Sequence, residues 1–267
     1  MADAFDRTRF TTRLGTRHLG RALLVRDTTA STNDDAWSAL AELGDGAAVI
    51  ALEQTRGRGR AGRRWQQAPG RGLALSVALR LGCEVRQAGV IPLAAGLAAV
   101  RAAHALGVTA ARLKWPNDVL VNGRKLAGVL CEVRRVADGG EAVVIGIGMN
   151  VRQARDEFPP ELRDTATSLA LEGAAAGLED AAAAVLSALE PLWDELQEGD
   201  RAAVLAAWSA QAPWGGWLRV RTPAGDVEGM AQRLDADGGL VLRTASGAET
   251  TVLAGDVGPA AEGWDAA

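Results

Sequence analysis

The sequence has no tyrosine and only three phenylalanines and two cysteines among its 267 residues. Cys83 and Cys131 cannot form a disulfide framework, and their apolar surroundings are typical of inert core thiols in a reducing compartment. The first ten residues lack the apolar segment of a secretory signal. The longest apolar stretch, 91–108, contains Arg101 and His104 and therefore indicates a buried helix rather than a membrane span. These absences predict a soluble cytoplasmic protein.

An excess of positive charge is also missing, because 33 acidic residues outnumber 29 basic ones and the net charge is −4. Such a chain has no global positive field to recruit nucleic acid or an anionic membrane surface. Residues 1–26 form a short basic arm, for which the composition predicts a solvated or partly ordered terminus. The arm is too short for a helix-turn-helix domain. We therefore expect neither specific DNA binding nor membrane association.

Lysine is nearly absent, since only Lys114 and Lys125 occur beside 27 arginines. A chain with this bias would retain lysine where a compact ammonium is needed and a planar guanidinium does not fit. Chance retention of two lysines is the alternative interpretation. Their location in one short segment favours a functional role.

Apolar patterning predicts an α+β fold in which helices cover a mixed or antiparallel sheet. Ser31-Thr32-Asn33 is typical of a helix start. Strands are predicted at 49–52, 73–79, 119–121, 125–132 and 142–147, and further helices at 91–106, 178–197 and 201–209. Because most strands are joined by hairpins, antiparallel pairing should dominate the sheet.

The last part of the chain has a different sequence pattern from the part before it. Short alternating strands are predicted at 217–222, 225–234, 240–244 and 249–253, separated by Gly-rich turns. This spacing is typical of a small SH3-like β-barrel. The predicted organisation is an N-terminal arm at 1–26, a main domain at 27–212, a barrel at 213–258 and a tail at 259–267.

Residues 57–64, GRGRAGRR, contain a G-x-G-x-x-G pattern. A Rossmann site requires this pattern to open a helix, whereas the following residues, WQQAPGRG, cannot start one. A P-loop is excluded because G-x-x-x-x-G-K-[ST] does not occur. We interpret the segment as a mobile cationic loop that binds a polyanion, since guanidinium groups grip phosphate and glycine permits close approach. A solvated loop without function is the alternative.

Residues 114–118, Lys-Trp-Pro-Asn-Asp, place a cation, an aromatic ring, an amide and a carboxylate in succession. Asp118 can hold Mg²⁺, which bridges phosphate oxygens, and Asn117 can contact a base edge or a metal-bound water. Asn122-Gly123 favours a type I′ turn, after which Lys125 lies on a strand. In isolation, the segment would be interpreted as an exposed turn.

Together, these motifs closely resemble the biotin–protein ligases. The series is Ser31-Thr32-Asn33, Gln54 with the loop 57–63, Lys114–Asp118 with Lys125–Gly128, and Gly146–Val151. The resemblance covers roughly residues 25 to 257. It implies a class II synthetase-like ligase core followed by the small barrel, of the monofunctional type without an N-terminal DNA-binding domain. It further implies ATP and biotin as substrates and Mg²⁺ as cation.

The resemblance also implies roles for individual residues. Biotin would be bound by Ser31, Thr32, Asn33, Gln54, Arg58, Gly59, Arg60, Lys125 and Gly128. The nucleotide would be bound by Arg60, Arg63, Trp65, Lys114, Asn117, Asp118 and Asn150, and Asp118 would be the Mg²⁺ ligand. The expected catalytic residues are Lys125, Arg58 and Arg60, which supply positive charge, and Asp118, a candidate proton acceptor.

The implied reaction forms biotinoyl-5′-AMP from biotin and ATP and then transfers biotin to a lysine of the biotin carboxyl carrier domain of a carboxylase. A lipoate or octanoate ligase or transferase of related fold is one alternative. A biotin-sensing binding module without enzymatic activity is another. A monomer or weak homodimer is the expected quaternary state.

Overall fold

The computed structural model of the chain describes residues 4–82, 89–137 and 139–259. Its larger sheet has the strand order β1-β2-β3-β7-β6-β5-β4. The strands are β1 (Leu23–Thr29), β2 (Ala48–Gln54), β3 (Gly72–Arg80), β4 (Ala111–Lys114), β5 (Asp118–Val121), β6 (Arg124–Arg135) and β7 (Glu141–Asn150). β1 and β2 are parallel, and the other neighbouring strands are antiparallel. The prediction of a mixed sheet is confirmed.

Helices cover both faces of this sheet. They are α1 (Arg7–Arg13), α2 (Thr32–Leu43), α3 (Val90–Ala105), α4 (Leu178–Gln197) and α5 (Arg201–Ser209). α2 packs with Val49, Ala78 and Val144 in a small cluster on one face. α3 belongs to the large core, between the sheet and α4, and buries residues on all sides because it is apolar nearly throughout.

A second, antiparallel sheet has the order β11-β10-β9-β8-β12. Its strands are β8 (Trp217–Thr222), β9 (Gly225–Leu234), β10 (Leu240–Arg243), β11 (Glu249–Val252) and β12 (Asp256–Pro259). Four of them agree with the predicted strands of the SH3-like unit, and that prediction is confirmed. The short β12 was not predicted, because its four residues show no alternation of apolar and polar side chains. It pairs with β8 at one edge of this sheet.

The N-terminal segment is folded onto the core. Phe10 on α1 is only 1% exposed, and Leu14 and Leu19 are also buried. Arg9 donates two hydrogen bonds, of 3.0 and 2.6 Å, to the carboxylate of Asp180 on α4. The expectation of a solvated or partly ordered arm is therefore wrong for this segment. The acidic partners lie about 170 positions further along the chain, and local composition does not reveal them.

Two predicted local features can be compared with the backbone. Asn122 and Gly123 have φ values of 50° and 75°, which confirms the type I′ turn between β5 and β6. Ser31 is the N-cap of α2, but its side chain makes no capping hydrogen bond. Gln54 Oε1 instead accepts from the Thr32 amide at 2.8 Å, so a distant side chain satisfies the helix start.

Some expectations fall outside what the structure describes or tests. Cys83, Asp138 and residues 260–267 of the predicted tail lie outside the described residues. The domain limits at 26/27, 212/213 and 258/259 remain a proposal. In the described parts of the chain, every helix is too short or too polar to cross a bilayer.

Candidate functional site

A cavity of about 1470 Å³ opens between the larger sheet and the C-terminal sheet. It brings together the start of α2, the segment after β2, the β4–β5 connection and the middle of β6 and β7. The described residues from the sequence motifs that line it include Ser31, Thr32, Asn33, Gln54, Arg58, Gly59, Arg60, Arg63, Trp65, Lys114, Asn117, Asp118, Lys125, Gly128 and Asn150. The predicted site residues, scattered over about 120 positions, thus share one cavity.

The floor of the cavity consists of small residues on three paired strands. Gly148 on β7 is in register with Ala74 on β3 and with Gly128 on β6. A Cβ added to Gly146 would lie 2.2 Å from Asn33 Oδ1, and one added to Gly148 would lie 2.3 Å from the Trp65 ring. Glycine is required at both positions, because only a bare backbone lets these side chains lie on the sheet.

A polar pocket, formed by Ser31, Thr32, Asn33 and Gln54 and supported by the buried Ser76, occupies one end of this floor. Gln54 Oε1 accepts from the Thr32 amide at 2.8 Å and from its hydroxyl at 3.1 Å. Ser76 Oγ lies 2.7 Å from both Thr32 Oγ1 and Asn33 Oδ1. The amide and hydroxyl groups are therefore held in fixed orientations before any ligand binds. Ser76 was missed, because its sequence context is an ordinary buried strand.

The arginine loop, residues 57–64, folds back on itself as a small hairpin. The backbones of Arg58 and Arg64 form an isolated antiparallel β-bridge, and the Gly59 amide donates to the Arg63 carbonyl at 2.7 Å. A Cβ on Gly57 would approach the Trp65 carbonyl oxygen to 2.5 Å, whereas one on Gly59 would make an ordinary 3.4 Å contact. The geometry thus requires glycine at 57 rather than at 59. The mobility of the loop stays a prediction.

Arg58 is held by two carboxylates that sequence reasoning did not single out. Its two Nη atoms each donate to one oxygen of Asp34 at 2.8 Å, and Nη2 also donates to Glu132 at 3.2 Å. The hydrogen bonds with Arg58 lower the pKa of Asp34, and those with Asp34 raise the pKa of Arg58. The guanidinium is consequently engaged at the edge of the cavity. The acidic residue directly after Ser31-Thr32-Asn33 was the available signal.

Arg60 and Arg63 diverge from the same loop. Arg60 is half-buried and donates to Asn117 Oδ1 at 3.1 Å. Burial lowers the pKa of Arg60 from its ordinary value. Arg63 is more exposed and pairs with Asp256 on β12 at 3.3 Å. The loop therefore directs one guanidinium inward and ties another to the C-terminal sheet.

Lys125 presents its ammonium to the cavity beside two predicted neighbours. Its Nζ lies 2.6 Å from Asp118 Oδ1 and 5.9 Å from the centre of the Trp65 ring. A Cβ on Gly128 would crowd the end of the Lys125 side chain at 3.1 Å. Lys114 is half-buried and lines the cavity, and none of the described residues forms an ion pair with it.

The backbone of Lys125 is held separately from its side chain. A bulge shifts the register between β5 and β6 next to Lys125, which pairs with Leu120 on β5 and also forms a parallel bridge with Ala166. Asn150 Nδ2 donates to the Thr167 carbonyl at 2.9 Å and to the Lys125 carbonyl at 3.3 Å. Gln153, which was not predicted, donates to Asn150 Oδ1 at 2.9 Å. Asn150 thus has its polar atoms occupied by protein in this conformation.

The donor set for Mg²⁺ is small. Among the described residues, no group of three or more His, Cys, Asp or Glu side chains could hold a metal ion. Asp118 is a single carboxylate, and it pairs with Lys125. Mg²⁺ often takes one carboxylate and completes its shell with water and substrate phosphates. The residues therefore fit a cation that arrives with a phosphate ligand rather than a resident metal.

Taken together, the site combines a preformed polar pocket, a flat glycine floor, an indole face and cationic groups. A small polar ring fits hydrogen-bonding groups held in this way, and a purine can stack on an indole. The Lys125 ammonium and the Arg60 guanidinium can offset negative charge between those two subsites. The arrangement is suited to joining a carboxylate or phosphate group to a nucleotide.

Comparisons with known proteins give matches over most of the chain. The Biotin/lipoate A/B protein ligase family profile matches residues 25–150, and the Biotin protein ligase C terminal domain profile matches residues 219–257. The biotin--[acetyl-CoA-carboxylase] ligase of Mycobacterium tuberculosis is 37% identical over 244 residues, which cover 89% of this chain and 88% of that protein. The bifunctional ligase/repressor BirA of Bacillus subtilis is 33% identical over 238 residues, which cover 88% of this chain and 73% of that protein.

Solved structures show the same similarity. The biotin protein ligase of Aquifex aeolicus, in complex with biotin and ATP, superposes with a TM-score of 0.76 at 28% identity. The match covers 89% of this chain and 98% of that one. The Leishmania major enzyme in complex with biotinyl-5-AMP superposes with a TM-score of 0.61 at 29% identity, over 87% and 98%.

Proposed function

Because this chain belongs to the biotin protein ligase family and is a ligase, we propose that it activates biotin with ATP and passes the biotinoyl group to a carrier-domain lysine. One observation supports this most strongly. The polar pocket and the Lys125 ammonium border a single cavity over a floor that has no side chains at Gly146 and Gly148. A fused ring with an acidic tail could lie in this cavity with its ring at the polar pocket and its tail at Lys125.

In this proposal, the polar pocket binds the ureido ring of biotin through Ser31, Thr32, Asn33 and Gln54. Gly128 leaves space beside Lys125, whose ammonium then meets the biotin carboxylate and the α-phosphate. The contact of Lys125 with Asp118 keeps the ammonium at the site until an anion competes for it. Asp118 is freed when that exchange occurs, and it is the candidate acceptor of the proton from the incoming lysine.

The nucleotide is proposed to lie against Trp65, with Lys114, Arg63, Asn117 and Asp118 around its phosphates and base. Asn150 contributes at the base only by exchanging one of its present protein contacts. Asp118 and the phosphate oxygens would hold Mg²⁺, which would neutralise phosphate charge. Gly59 and Arg60 lie in the loop that would cover the adenylate.

The first step brings two anions together, because the biotin carboxylate attacks the α-phosphate and pyrophosphate leaves. Negative charge grows on the oxygens of the transferred group, and the Lys125 ammonium and Arg60 guanidinium can offset it. Loss of one such preorganised contact commonly raises the barrier by ~3–4 kcal/mol, which slows the step roughly a hundred- to thousandfold. In the second step, the acceptor amine attacks the acyl carbonyl and AMP leaves.

The mixed anhydride formed in the first step reacts with water, so its retention matters. The arginine loop can exclude solvent if it packs over the adenylate. In the present conformation, Arg58 donates to Asp34 and Glu132. We therefore assign to Arg58 the task of holding the loop, and we leave the charge of the first step to Lys125 and Arg60.

The test is mass spectrometry of a biotin carboxyl carrier domain after incubation with the protein, ATP, Mg²⁺ and biotin. One biotinoyl group should appear on one lysine, and Lys125→Met should reduce the rate at least a hundredfold. Lys125→Arg should not restore it, because a planar guanidinium replaces a compact ammonium. Wild-type protein that leaves the carrier domain unmodified would contradict the second step.

Two further assays separate the alternatives. Lipoate replaces biotin in a parallel reaction, and faster use of lipoate would support the lipoate ligase alternative. Pyrophosphate release that requires biotin excludes a pure binding module. The quaternary state stays a prediction.

A further inference from the structure

We propose that Glu132 is a positioning residue that links the polar pocket to the arginine loop, an inference that rests on the proposed function. Glu132 lies on β6, and its Oε2 accepts from Asn33 Nδ2 at 2.8 Å and from Arg58 Nη2 at 3.2 Å. One carboxylate oxygen therefore joins a pocket side chain to a loop side chain. The residue belongs to neither group, and it lies 99 positions from Asn33 and 74 from Arg58.

Glu132 helps to fix the orientation of the Asn33 side chain. The residue is 4% exposed, and its amide is held at both ends. Its Oδ1 lies 2.7 Å from Ser76 Oγ, and its Nδ2 donates to Glu132. Gly146 lies beneath the amide and leaves it space only as a glycine. Without Glu132, the Nδ2 group would keep only a weak 3.5 Å contact with the Leu130 carbonyl.

Glu132 also holds the arginine loop through Arg58. Arg58 is held by Asp34 through both Nη atoms and by Glu132 through Nη2. Asp34 hydrogen-bonds to Arg58 and to no side chain of the polar pocket, whereas Glu132 contacts both. The two carboxylates thus share the loop contact and differ in the pocket contact. This difference provides a matched pair of variants.

The consequence is an energetic coupling between the two halves of the site. A loop movement that shifts Arg58 changes its hydrogen bond to Glu132 Oε2. The hydrogen bond between the same oxygen and Asn33 changes as a result. Coupling of this kind acts in both directions. A bound biotin ring that fixes Asn33 therefore also favours the loop conformation in which Glu132 holds Arg58. The side chains of Arg58, Glu132 and Asp34 are 37%, 26% and 45% exposed, so the ion pairs themselves add little to folding.

The experiment compares Glu132→Met, Glu132→Gln and Asp34→Asn with the wild-type protein. Biotin affinity is measured by titration without ATP, and release of biotinoyl-5′-AMP is measured by stopped flow. Glu132→Met should weaken biotin binding about tenfold, since it removes a hydrogen bond to a charged acceptor in a buried pocket. Glu132→Gln retains an acceptor for Asn33, and its biotin affinity should stay within about threefold of wild type.

Asp34→Asn should leave biotin affinity within about twofold of wild type, because it keeps the Glu132–Asn33 hydrogen bond and reaches the pocket only indirectly, through Arg58. All three variants should release the adenylate several-fold faster. Wild-type biotin affinity in Glu132→Met, or an equal loss in Asp34→Asn, would overturn the link. Equal losses in Glu132→Gln and Glu132→Met would also overturn it, because the Asn33 contact would then carry no effect.

The wild-type protein is first assayed for biotin-dependent pyrophosphate release. Absence of that release contradicts the proposed function itself. An active wild type with any of the contrary patterns above refutes only the role of Glu132. Thermal melting of each variant checks that it is folded. If Glu132→Met does not fold, the readout is adenylate release from Glu132→Gln, and release at the wild-type rate would contradict the role of Glu132.

Discussion

Glycine residues of β7 determine, one by one, what can lie on the sheet. Val144, Gly146, Gly148 and Asn150 point to the same face because side chains alternate along a strand. Val144 packs under α2, and Asn150 holds the Lys125 carbonyl. The two glycines between them leave the space that Asn33 and Trp65 use. A single methyl group at either position therefore acts on the binding site rather than on the core.

Gly146→Ala tests this at the pocket end. The added Cβ would start 2.2 Å from Asn33 Oδ1, so Asn33 must move or the strand must shift. We expect biotin affinity to fall by about tenfold or more, as for overpacking that costs ~1–3 kcal/mol. Titration of biotin measures the loss. Gly258→Ala is the control, because a Cβ there meets nothing within 4 Å. Equal affinities in both variants would contradict the steric argument.

Cys131 gives a second prediction for a single residue. Burial raises the pKa of its thiol to about 12. The thiolate fraction at neutral pH is then on the order of a thousandfold lower than for a free cysteine. In a Cys83→Ser background, iodoacetamide should therefore label the native protein far more slowly than the urea-unfolded protein. Similar labelling rates in the two states would show that the thiol is accessible and reactive.

At the scale of secondary-structure elements, α1 depends on α4 more than on its own sequence. A helix of seven residues is too short to be stable alone. Phe10 anchors its apolar side, and Asp180 on α4 accepts hydrogen bonds from Arg9 and from the Gly177 amide. Glu190, further along α4, accepts from the backbone amides of residues 17–19. The acidic face of α4 thus organises the chain before β1.

The pH dependence of this contact has a defined sign. The hydrogen bond from Arg9 lowers the pKa of Asp180, so its stabilisation is complete above the unfolded carboxyl pKa and is lost as pH falls through the folded value. Asp180→Asn should lower the melting temperature at pH 7 by on the order of 2–4 °C. The difference from wild type should shrink as pH falls below about 4.

Thermal melts between pH 3 and pH 7 measure this difference. The control is Asp226→Asn, because Asp226 is 52% exposed on the C-terminal sheet. A difference between Asp180→Asn and wild type that stayed constant over this pH range would contradict the assignment of the stabilisation to the ionised carboxylate.

At the scale of the whole molecule, the motif Lys114–Asp118 connects the two sheets. Trp115 is 5% exposed, and its Nε1 donates to the Gly238 carbonyl, in the turn before β10, at 3.0 Å. Arg63 of the arginine loop reaches Asp256 on β12. The C-terminal sheet therefore touches both segments that we assign to the nucleotide. Its position should influence ATP binding as well as stability.

Trp115→Phe tests the connection. It removes the donor and leaves a carbonyl unpaired in a buried contact, so we expect a loss of about 1–3 kcal/mol in unfolding free energy and a raised KM for ATP. Denaturant unfolding and pyrophosphate-release kinetics measure both quantities. Trp37→Phe is the matched control, because Trp37 Nε1 is buried and has no hydrogen-bond partner among the described residues. An equal loss in the two variants would assign the effect to ring packing alone.

The sequence alone determined the features that depend on near neighbours. The Asn122-Gly123 turn, the alternating strands of the C-terminal unit and the apolar helix α3 follow from propensities and periodicity within about ten residues. The order of the motifs was likewise enough to predict the family and the residues that line one cavity.

Only the tertiary structure decided which charged groups meet. Asp34 lies 24 positions from Arg58, Glu132 lies 74 positions from it, and Asp180 lies 171 positions from Arg9. Arginines and carboxylates are numerous in this chain, and the composition does not show which of them form pairs. The pairing follows from strand register and helix packing, which bring distant residues within hydrogen-bond distance of one another. For the same reason, the N-terminal arm could not be recognised as part of the core, nor Glu132 as a neighbour of Asn33.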